Sequence, residues 1–286
     1  MKKFPKVFVI VLNYNGADVL RKCLLSLFLA RYPNLEVVVV DNNSLDGSLE
    51  VARKVFPRAH YIKNEENLGF SAGNNVGIRF ALDRGADYVL LLNNDTEVKP
   101  DFLEKIVELG ESNEKIGILS PLIREGKTDR VWFSGGRINW LRMRSSHLRD
   151  SLKEDFFNSD FMTGCAMAVK KDVFSRIGLL DEDFFLYWED ADFSVRAKRE
   201  GFLLAVSFQS QIYHLEKSEE TNDNKIYWLV LSGLLFFQKN SPFWLRPWYF
   251  IFIFLRKIKN KNDLRKDFSK KSRTVEKAYQ DFKTYA

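Results

Sequence analysis

The sequence predicts an α/β fold, in which helices flank a mostly parallel central sheet and a helical extension follows at the C-terminal end. Three observations support this. Short strands without a polar residue alternate with segments of helical periodicity, polar residues gather where those strands end, and aromatic and basic residues concentrate after residue 220. Strands that are apolar throughout are typical of parallel sheets covered by helices on both faces. With 286 residues, 45% of them hydrophobic, the chain can form a large core.

The first half of the chain shows the alternation most clearly. The predicted strands are Val7–Leu12, Val37–Val40 and Tyr88–Leu92. The predicted helices are Ala17–Ala30, Ser44–Val55 and Ala72–Arg84, the last ending at Gly85. Apolar residues recur on one helical face in these segments. The alternation of strands and helices along the chain predicts parallel strands joined by helical crossovers.

The second half of the chain is less regular. We expect helices at Lys99–Glu114 and Lys171–Ile177 and a further helix that ends at Gly201, and Phe161–Val169 is an apolar stretch that contains Thr163-Gly164. Residues 124–160 contain Gly135-Gly136 and several arginines. This segment is either a solvated loop or hairpin, or a mobile lid over a ligand.

Polar residues follow each of the three apolar strands. The runs are Asn13-Tyr14-Asn15-Gly16, Asp41-Asn42-Asn43-Ser44 and Asn93-Asn94-Asp95. Turn chemistry explains any one of them, because Asn, Asp, Ser and Gly dominate turns. Parallel α/β sheets, however, bind ligands at the carboxyl ends of their strands. Three polar runs at one edge therefore predict a binding site there.

The C-terminal segment combines apolar, aromatic and basic residues. Residues 226–258 hold two apolar stretches, each shorter than the roughly 20 residues of a membrane-spanning helix. Residues 256–286 carry eleven Lys or Arg against four Asp or Glu, so this segment accounts for the chain's net charge of +6. Such a composition predicts an interfacial segment on an anionic membrane surface. The alternative is that the helices pack on the main domain and the tail is solvated. We find no nucleic-acid-binding module and expect no nucleic-acid partner.

Six ordered blocks resemble glycosyltransferase family 2, and they are most like its bacterial rhamnosyltransferase-like branch. The blocks are VIVLNYNG, VVVVDNNSLDGS, NLGFSAGNNVGI, LLLNNDTEV, TGCAMAVKKDVFSRIGLLDEDFFLYWEDADFSVRAKREGF and IYH, within about residues 5–216. The resemblance implies a GT-A fold with a Rossmann-like sheet, a nucleotide-sugar donor, a divalent metal and inversion at the anomeric carbon. It also implies a catalytic domain at 1–220, with a nucleotide-binding half at about 1–98 and an acceptor-binding half at about 99–220. The extension is then 221–286.

The family's metal motif, Asp-x-Asp, matches Asn93 and Asp95. One carboxylate is thus an amide here, and we expect metal binding that is either weaker or more dependent on the donor phosphates. The resemblance makes Asp95 a metal ligand and His214 a second one, with Asn93 beside them. Mg²⁺ and Mn²⁺ both prefer oxygen ligands, and Mn²⁺ also accepts imidazole. A turn or helix-cap role for Asp95 is the alternative.

The family's catalytic Glu-Asp motif matches Glu189 and Asp190. Asp190 would be the base that takes the acceptor proton, and Glu189 would orient the acceptor sugar. The helix dipole alone would also favour carboxylates here. Tyr187 and Trp188 are predicted to stack on an acceptor sugar, with core packing as an equal alternative.

The resemblance also implies a set of residues around the donor. Asp41 would read the nucleotide base, and the other members would border the base, the ribose or the donor sugar. The remaining residues are Asn13, Asn15, Asn67, Gly69, Asn75, Asn94, Thr163 and Gly164.

These expectations combine into one function. The chain would be an inverting, metal-dependent transferase that moves a sugar from a donor such as dTDP-rhamnose or a UDP-hexose to a glycan or polyprenyl-linked acceptor of the cell envelope. Two distant cysteines without a CxxC pattern fit a reducing cytoplasm, and the tail would place the enzyme at the inner face of the cell membrane. A non-catalytic sugar-binding descendant is the alternative that Asn93 leaves open. The run at residues 13–16 lacks the GxGxxG of a dehydrogenase or epimerase.

Overall fold

The computed structural model describes residues 4–126, 128–215, 223–266 and 270–284. The strands are β1 (Val7–Asn13), β2 (Leu35–Asp41), β3 (His60–Lys63), β4 (Tyr88–Asn93), β5 (Thr96–Val98), β6 (Ile116–Glu125), β7 (Val131–Phe133), β8 (Gly136–Asn139), β9 (Arg144–His147), β10 (Ala166–Lys170) and β11 (Leu203–His214). The α-helices are α1 (Ala17–Phe28), α2 (Ser48–Val55), α3 (Gly69–Asp83), α4 (Phe102–Ser112), α5 (Lys171–Ile177), α6 (Glu189–Arg199), α7 (Asp223–Asn240), α8 (Arg246–Lys266) and α9 (Lys270–Asp281). Short 3-10 turns occupy Phe243–Leu245 and Phe282–Thr284.

One large sheet forms the centre of the molecule, with its strands in the order β3-β2-β1-β4-β10-β6-β11-β5 and β7 paired to β6. The β3-β2-β1-β4 part is parallel, as predicted. The other part is mixed, because β10 runs antiparallel to both β4 and β6. The predicted α/β fold with helices on the sheet is therefore confirmed, and the parallel arrangement holds for its first half.

Close packing between helix and sheet explains the glycines of α3. A Cβ atom at Gly77 would lie 2.6 Å from Cγ2 of Ile10 in β1, so only glycine allows the helix to approach the strand this closely. The strand itself is buried on both faces: Val9 on one face and Phe8 and Ile10 on the other have no exposed surface. The apolar run of β1 thus reflects cover on both sides of the sheet.

Two helices begin elsewhere than predicted, for local reasons. The helix expected from Ser44 begins at Ser48, because the Asp46 carboxylate accepts a hydrogen bond from the Ala17 N–H (2.9 Å) and Gly47 adopts a left-handed φ of 75°. The helix expected from Ala72 begins at Gly69 instead. Strands β3 and β5 were not predicted, since four and three residues show too little alternation to be recognised.

The segment that the sequence left open between a hairpin and a lid contains the β8-β9 hairpin. The ring of Trp140, at its tip, stacks on Phe236 of α7 with a centroid distance of 5.7 Å. The backbone carbonyl of Leu141 accepts a hydrogen bond from Nε1 of Trp248 in α8 (2.8 Å). The hairpin therefore joins the sheet domain to the C-terminal helices.

The predicted C-terminal helical extension is present as α7, α8 and α9. Helix α7 packs against α6, α8 and α9. Across the described ranges, no helix combines the length and apolarity required to cross a membrane.

Candidate active site

The three polar strand ends meet at one edge of the sheet. In the strand register, Asn13 lies opposite Asp41. Its side-chain nitrogen donates to Asp41 Oδ1 (3.1 Å), and its oxygen accepts from Nδ2 of Asn94 (2.7 Å). One amide thus links the ends of β1, β2 and β4, which agrees with the edge predicted from the sequence.

Local backbone geometry makes this network possible. Asn15 and Asn43 adopt left-handed φ values of 50° and 61°, a conformation that Asn tolerates better than most residues. A Cβ atom at Gly16 would lie 2.5 Å from Nδ2 of Asn94, so a side chain there would displace the Asn13–Asn94 hydrogen bond. Sequence reasoning did not assign Gly16 to the site.

Asp95 and His214, the two predicted metal ligands, lie side by side. Nε2 of His214 is 3.1 Å from Oδ2 of Asp95, and both side chains are buried. Strand β11 pairs antiparallel with β5, which places His214 opposite Thr96, and the Leu215 N–H donates to the Asp95 carbonyl (2.8 Å). The unpredicted strand β5 is therefore what brings the pair together.

Both side chains hold an unused polar atom. Within the described part of the chain, Oδ1 of Asp95 and Nδ1 of His214 are buried and have no hydrogen-bond partner. Burying a polar atom without a partner is costly, so such atoms usually mark a ligand or ion. Carboxylate oxygen and imidazole nitrogen are donors that a divalent cation such as Mn²⁺ accepts.

The protein supplies only part of a full coordination shell. No group of three or more His, Cys, Asp or Glu that could hold a metal occurs among the residues described. Asn93, the predicted third member, ends β4, and its N–H donates to the Cys165 carbonyl (2.9 Å). The residues present therefore fit a divalent ion that takes further ligands from phosphate or water, as Mg²⁺ commonly does.

Trp132 of β7 packs on the imidazole of His214, a contact that the sequence did not reveal. The ring centroids are 4.5 Å apart with an interplanar angle of 35°. The ring of Trp132 also contacts His147, with a centroid distance of 4.6 Å. Burial, helped by the charge of Arg149, lowers the pKa of His147 to about 4, so this imidazole is neutral near pH 7. Trp132 thus orients His214 within an apolar surrounding.

A strained turn carries Glu189 and Asp190 into the first turn of α6. Tyr187 and Trp188 both have left-handed φ values, 68° and 70°, which bulky residues rarely adopt. Such strain clusters at functional sites. Oδ2 of Asp190 accepts a hydrogen bond from the Gly164 N–H (2.9 Å), and Oδ1 accepts from the Ala191 N–H (2.7 Å).

The two neighbouring carboxyl groups have different environments. Burial raises the pKa of Glu189 well above its ordinary value, and the charges of Asp190 and Asp192 raise it further. Burial also raises the pKa of Asp190, but the N–H groups of Gly164 and Ala191 oppose this. Oε2 of Glu189 has no partner in the described ranges. Burial thus raises the pKa of both carboxyl groups, and the two N–H donors oppose this rise at Asp190, so Asp190 is the better placed of the two to carry a negative charge.

The side chain of Asp192, two residues further along α6, makes structural contacts within the protein. It pairs with Arg196 (2.7 Å) and accepts a hydrogen bond from Asn240 of α7 (2.7 Å).

Trp188, predicted to stack on an acceptor sugar, packs on α7. Its ring lies 4.9 Å from that of Phe236, and Nε1 donates to the Leu229 carbonyl (3.3 Å). This is the core-packing alternative, and the geometry favours it over direct sugar stacking. For Tyr187, acceptor contact stays a prediction.

The predicted donor-binding residues divide into edge and framework positions. Asn67 accepts hydrogen bonds from Asn42 Nδ2 (3.1 Å) and the Gly69 N–H (3.0 Å). Asn75 in α3 uses its amide to bond the Leu180 N–H and carbonyl, so it fixes that loop to the helix. Donor contact by the edge residues stays a prediction.

A short segment connects the carboxylates at the start of α6 to the turn between β4 and β5 that contains Asp95. It consists of Thr163, Gly164 and Cys165. Gly164 holds Asp190, and the next residue, Cys165, accepts the hydrogen bond of Asn93. A Cβ atom at Gly164 would lie 2.9 Å from Cζ of Phe70, so a side chain there would disturb the loop that holds Asp190. Two predicted functions, metal binding and proton removal, thus meet at one three-residue segment.

Comparison with known proteins gives consistent matches. The family model described as glycosyl transferase family 2 matches residues 8–178. The chain is 28% identical over 235 residues to a low-salt glycan biosynthesis hexosyltransferase of Haloferax volcanii, covering 78% of this chain and 71% of that protein. It is 24% identical over 230 residues to an N-acetylglucosaminyl-diphospho-decaprenol L-rhamnosyltransferase of Mycobacterium tuberculosis, covering 72% and 75%.

Two solved structures show the same fold. GalNAc-T7 with UDP, GalNAc and Mn²⁺ superposes with a TM-score of 0.65 and 17% identity, over 81% of this chain and 48% of the other. A mannosyltransferase from Pyrobaculum calidifontis with GDP-Man and Mn²⁺ gives a TM-score of 0.63 and 17% identity, over 100% and 77%. The fold is therefore of the GT-A type.

Proposed function

Because the chain belongs to glycosyltransferase family 2, we propose that it moves a sugar from a nucleoside-diphosphate donor to an acceptor hydroxyl with inversion. The observation that carries this proposal is that residues 164 and 165 connect Asp190 to Asn93, two residues before Asp95. Asp95 and His214 each keep a buried polar atom without a partner in the described residues. An inverting transfer needs a base on one side of the anomeric carbon and stabilisation of the leaving diphosphate on the other.

Asp190 is the proposed base. Two backbone N–H groups hold its carboxylate in one orientation, which also keeps it ionised more readily than Glu189. It would take the proton of the acceptor hydroxyl as that oxygen bonds to the anomeric carbon and the diphosphate leaves. Glu189, protonated, would donate a hydrogen bond that orients the acceptor.

Asp95 and His214 would hold a divalent ion, with Asn93 beside them. When bound, the ion neutralises the charge of the leaving diphosphate. The two structural neighbours were solved with UDP or GDP-Man and Mn²⁺, which supports Mn²⁺ or Mg²⁺ and a nucleotide-sugar donor here. Asp41, Asn13 and Asn94 would bind the nucleoside, since they form the edge of the sheet next to that turn.

The acceptor is proposed to be lipid-linked. The mycobacterial relative is named for a diphospho-decaprenol acceptor and a rhamnosyl donor. The similarity to this relative extends over 72% of the chain. It supports a rhamnose-type or other hexose donor and a polyprenyl-linked acceptor in envelope glycan synthesis.

An apolar stripe on α8 supports a location at the membrane surface. Five large apolar side chains of α8 are exposed at helical spacing, and two more are exposed on the 3-10 turn that precedes it. We call the seven together the α8 stripe: Phe243, Trp244, Phe250, Ile251, Phe254, Leu255 and Ile258. Four exposed cations lie on the same helix, namely Arg246, Arg256, Lys259 and Lys261. Apolar and aromatic groups flanked by cations complement an anionic lipid surface.

Donor hydrolysis tests the enzymatic proposal directly, because water replaces the acceptor slowly. The enzyme would be incubated with a panel of nucleotide sugars in the presence of Mn²⁺, Mg²⁺ or EDTA, and release of nucleoside diphosphate would be followed. We expect metal-dependent release from one donor. Release that is equal with EDTA would contradict the metal role, and no release from any donor, with or without a polyprenyl-linked acceptor, would contradict the proposal.

A further inference from the structure

One face of α7 contacts the segment that leads into Glu189 and Asp190. The side chains of Trp228, Ser232 and Phe236 recur at every fourth residue, so they lie on the same side of the helix. Each of them contacts one residue of the segment 185–188, which directly precedes α6. The C-terminal extension therefore supports the part of the chain that carries the proposed base.

Two of these contacts fix the chain before the left-handed turn at residues 187 and 188. The ring of Trp228 stacks on that of Phe185, with a centroid distance of 4.5 Å and an interplanar angle of 22°. Oγ of Ser232 donates a hydrogen bond to the Leu186 carbonyl (2.8 Å). Because Leu186 is the last residue before the turn, Ser232 holds the backbone at the point where the strain begins.

The third contact fixes the turn itself. Phe236, which is fully buried, stacks on Trp188 with an interplanar angle of 29° and on Trp140 of the β8-β9 hairpin with an angle of 24°. Gly233 of α7 allows the indole to come this close, because a Cβ atom there would lie 3.1 Å from Nε1 of Trp188. The ring of Phe236 thus joins the hairpin and the turn through α7.

The turn requires such support because its backbone conformation is unfavourable. Bulky residues rarely adopt left-handed φ values, and Tyr187 and Trp188 do so in succession. Strained backbone of this kind persists where the surrounding structure fixes it. A turn that relaxed would change the direction of the chain into α6. It would then move Asp190 away from the N–H of Gly164 that holds its carboxylate.

We infer that Ser232 and Phe236 are positioning residues for the transfer, because they hold the left-handed turn in place and thereby keep Asp190 where it can take the proton. The inference rests on the proposed function of Asp190 and goes beyond it by giving the C-terminal extension a part in the reaction. Neither side chain touches the donor or the acceptor in this proposal. A displacement of about 1 Å can lower a rate roughly 100-fold, so the effect should appear in kcat.

Donor binding should not depend on these two residues. The Phe185 carbonyl accepts a hydrogen bond from the Phe70 N–H (2.6 Å) at the start of α3, and Trp228 packs on the Phe185 ring. The chain before the turn therefore stays anchored when Ser232 loses its hydroxyl. The proposed metal ligands are brought together by the pairing of β5 with β11, in which α7 takes no part.

Ser232→Ala tests the inference, and Tyr249→Phe is its matched control. The Tyr249 hydroxyl donates to the Leu234 carbonyl of α7 (3.2 Å), so the control also removes one hydrogen bond that α7 makes, but none that involves the turn. Both variants should lose a similar amount of Tm. Hydrolysis of a nucleotide sugar that the wild type hydrolyses measures kcat, because Asp190 would take the proton of water in this assay.

We expect kcat to fall roughly tenfold or more in Ser232→Ala and to stay at the wild-type value in Tyr249→Phe. The Kd for UDP or dTDP with Mn²⁺, measured by calorimetry, should stay within about twofold in both variants. Ser232→Thr retains the hydroxyl and should recover most of the lost kcat.

Amide hydrogen exchange at residues 186–190 gives a readout that does not depend on activity. Exchange there should be faster in Ser232→Ala than in the wild type, because the turn opens more often. Phe236→Leu, which removes the stacked ring and keeps an apolar side chain, should show the same change. Tyr249→Phe should exchange like the wild type in this segment.

Wild-type kcat in Ser232→Ala overturns the inference, whether or not exchange at residues 186–190 is faster. A fall in kcat that Tyr249→Phe shares, in proportion to its loss of Tm, also overturns it, because α7 would then contribute stability alone. Failure of the wild type to hydrolyse any donor would instead defeat the proposed function. In that case wild-type exchange in Ser232→Ala and Phe236→Leu would still show that these residues do not hold the turn.

Discussion

Asp95 and His214 come from distant parts of the sequence, yet their side chains lie 3.1 Å apart, and each keeps a buried polar atom without a partner in the described residues. A closed structural ion pair would satisfy these atoms. These two unpartnered atoms lie at the edge of the sheet where α/β proteins bind ligands, and this distinguishes the pair from a purely structural contact.

Asn93→Asp should strengthen metal binding. The substitution gives the end of β4 the second carboxylate of the family motif, and added negative charge raises the affinity of an oxygen site for a divalent cation. We expect Mn²⁺ to bind roughly tenfold tighter in the presence of a nucleoside diphosphate, measured by calorimetry. Asp95→Asn should remove binding. Equal affinity in Asn93→Asp and the wild type would show that residue 93 does not face the ion.

Trp132→Ala should weaken the same binding without removing a ligand. Residues that orient a metal-binding imidazole typically contribute about 10–100-fold to affinity, and Trp132 is stacked on His214. Trp132→Phe retains a ring and should recover most of the affinity. The measurement is Mn²⁺ titration, with the Tm as a check on folding. If both variants lose only stability, Trp132 has no positioning role.

The sequence could predict those parts of the site that depend on residues close together in the chain, and not those that depend on how distant strands and helices pair. The polar runs after β1, β2 and β4 could be assigned to one edge, because apolar strands and parallel connections fix which ends meet. Trp132 could not, since its strand has three residues and its contact to His214 depends on the β6–β7 pairing. Trp188 was predicted to stack on a sugar. An aromatic residue before a pair of carboxylates gives the same sequence pattern whether its ring faces a ligand or packs on α7.

Asp190→Asn should lose turnover and keep donor binding. The amide cannot accept the acceptor proton, and general-base catalysis contributes about 10²–10⁴-fold. We expect kcat for sugar transfer to fall by that range, while the Kd for the nucleotide sugar stays within about twofold. Asp183→Asn, an exposed carboxylate that pairs with Lys239, is the control. Unchanged transfer by Asp190→Asn would exclude it as the base.

Glu189→Gln should stabilise the protein at neutral pH. The pKa of Glu189 is raised in the folded state, first by burial and then by the charge of Asp190. Above its ordinary value of 4.5, the unfolded chain releases this proton while the folded chain retains it, so rising pH favours unfolding until the folded pKa is reached. Glutamine does not ionise, so the variant does not lose folding stability as the pH rises.

The Tm of Glu189→Gln should therefore exceed that of the wild type at pH 7.5, and the difference should shrink as the pH falls towards 4. Glu200→Gln, at an exposed position at the end of the same helix, should show no such dependence. A difference that grows on acidification would mean that Glu189 is ionised in the folded protein. Sugar transfer by Glu189→Gln should fall mainly through a higher KM for the acceptor.

Phe250→Ser with Phe254→Ser should weaken membrane binding. Both rings are exposed, by 67% and 63%, so their removal disturbs little packing. Burying one Phe side chain in an apolar environment contributes about 1.5–3 kcal/mol, and even partial insertion of two rings predicts a loss of roughly tenfold or more in the partition coefficient. Sedimentation with vesicles of phosphatidylglycerol and phosphatidylcholine measures it. Leu25→Ser with Leu29→Ser, exposed in α1 and directly after it, controls for apolar surface in general. Because the cations of α8 require an anionic partner, wild-type binding should also fall on pure phosphatidylcholine and at high salt. Binding that ignores both the headgroup and the Phe substitutions would show that another surface meets the membrane.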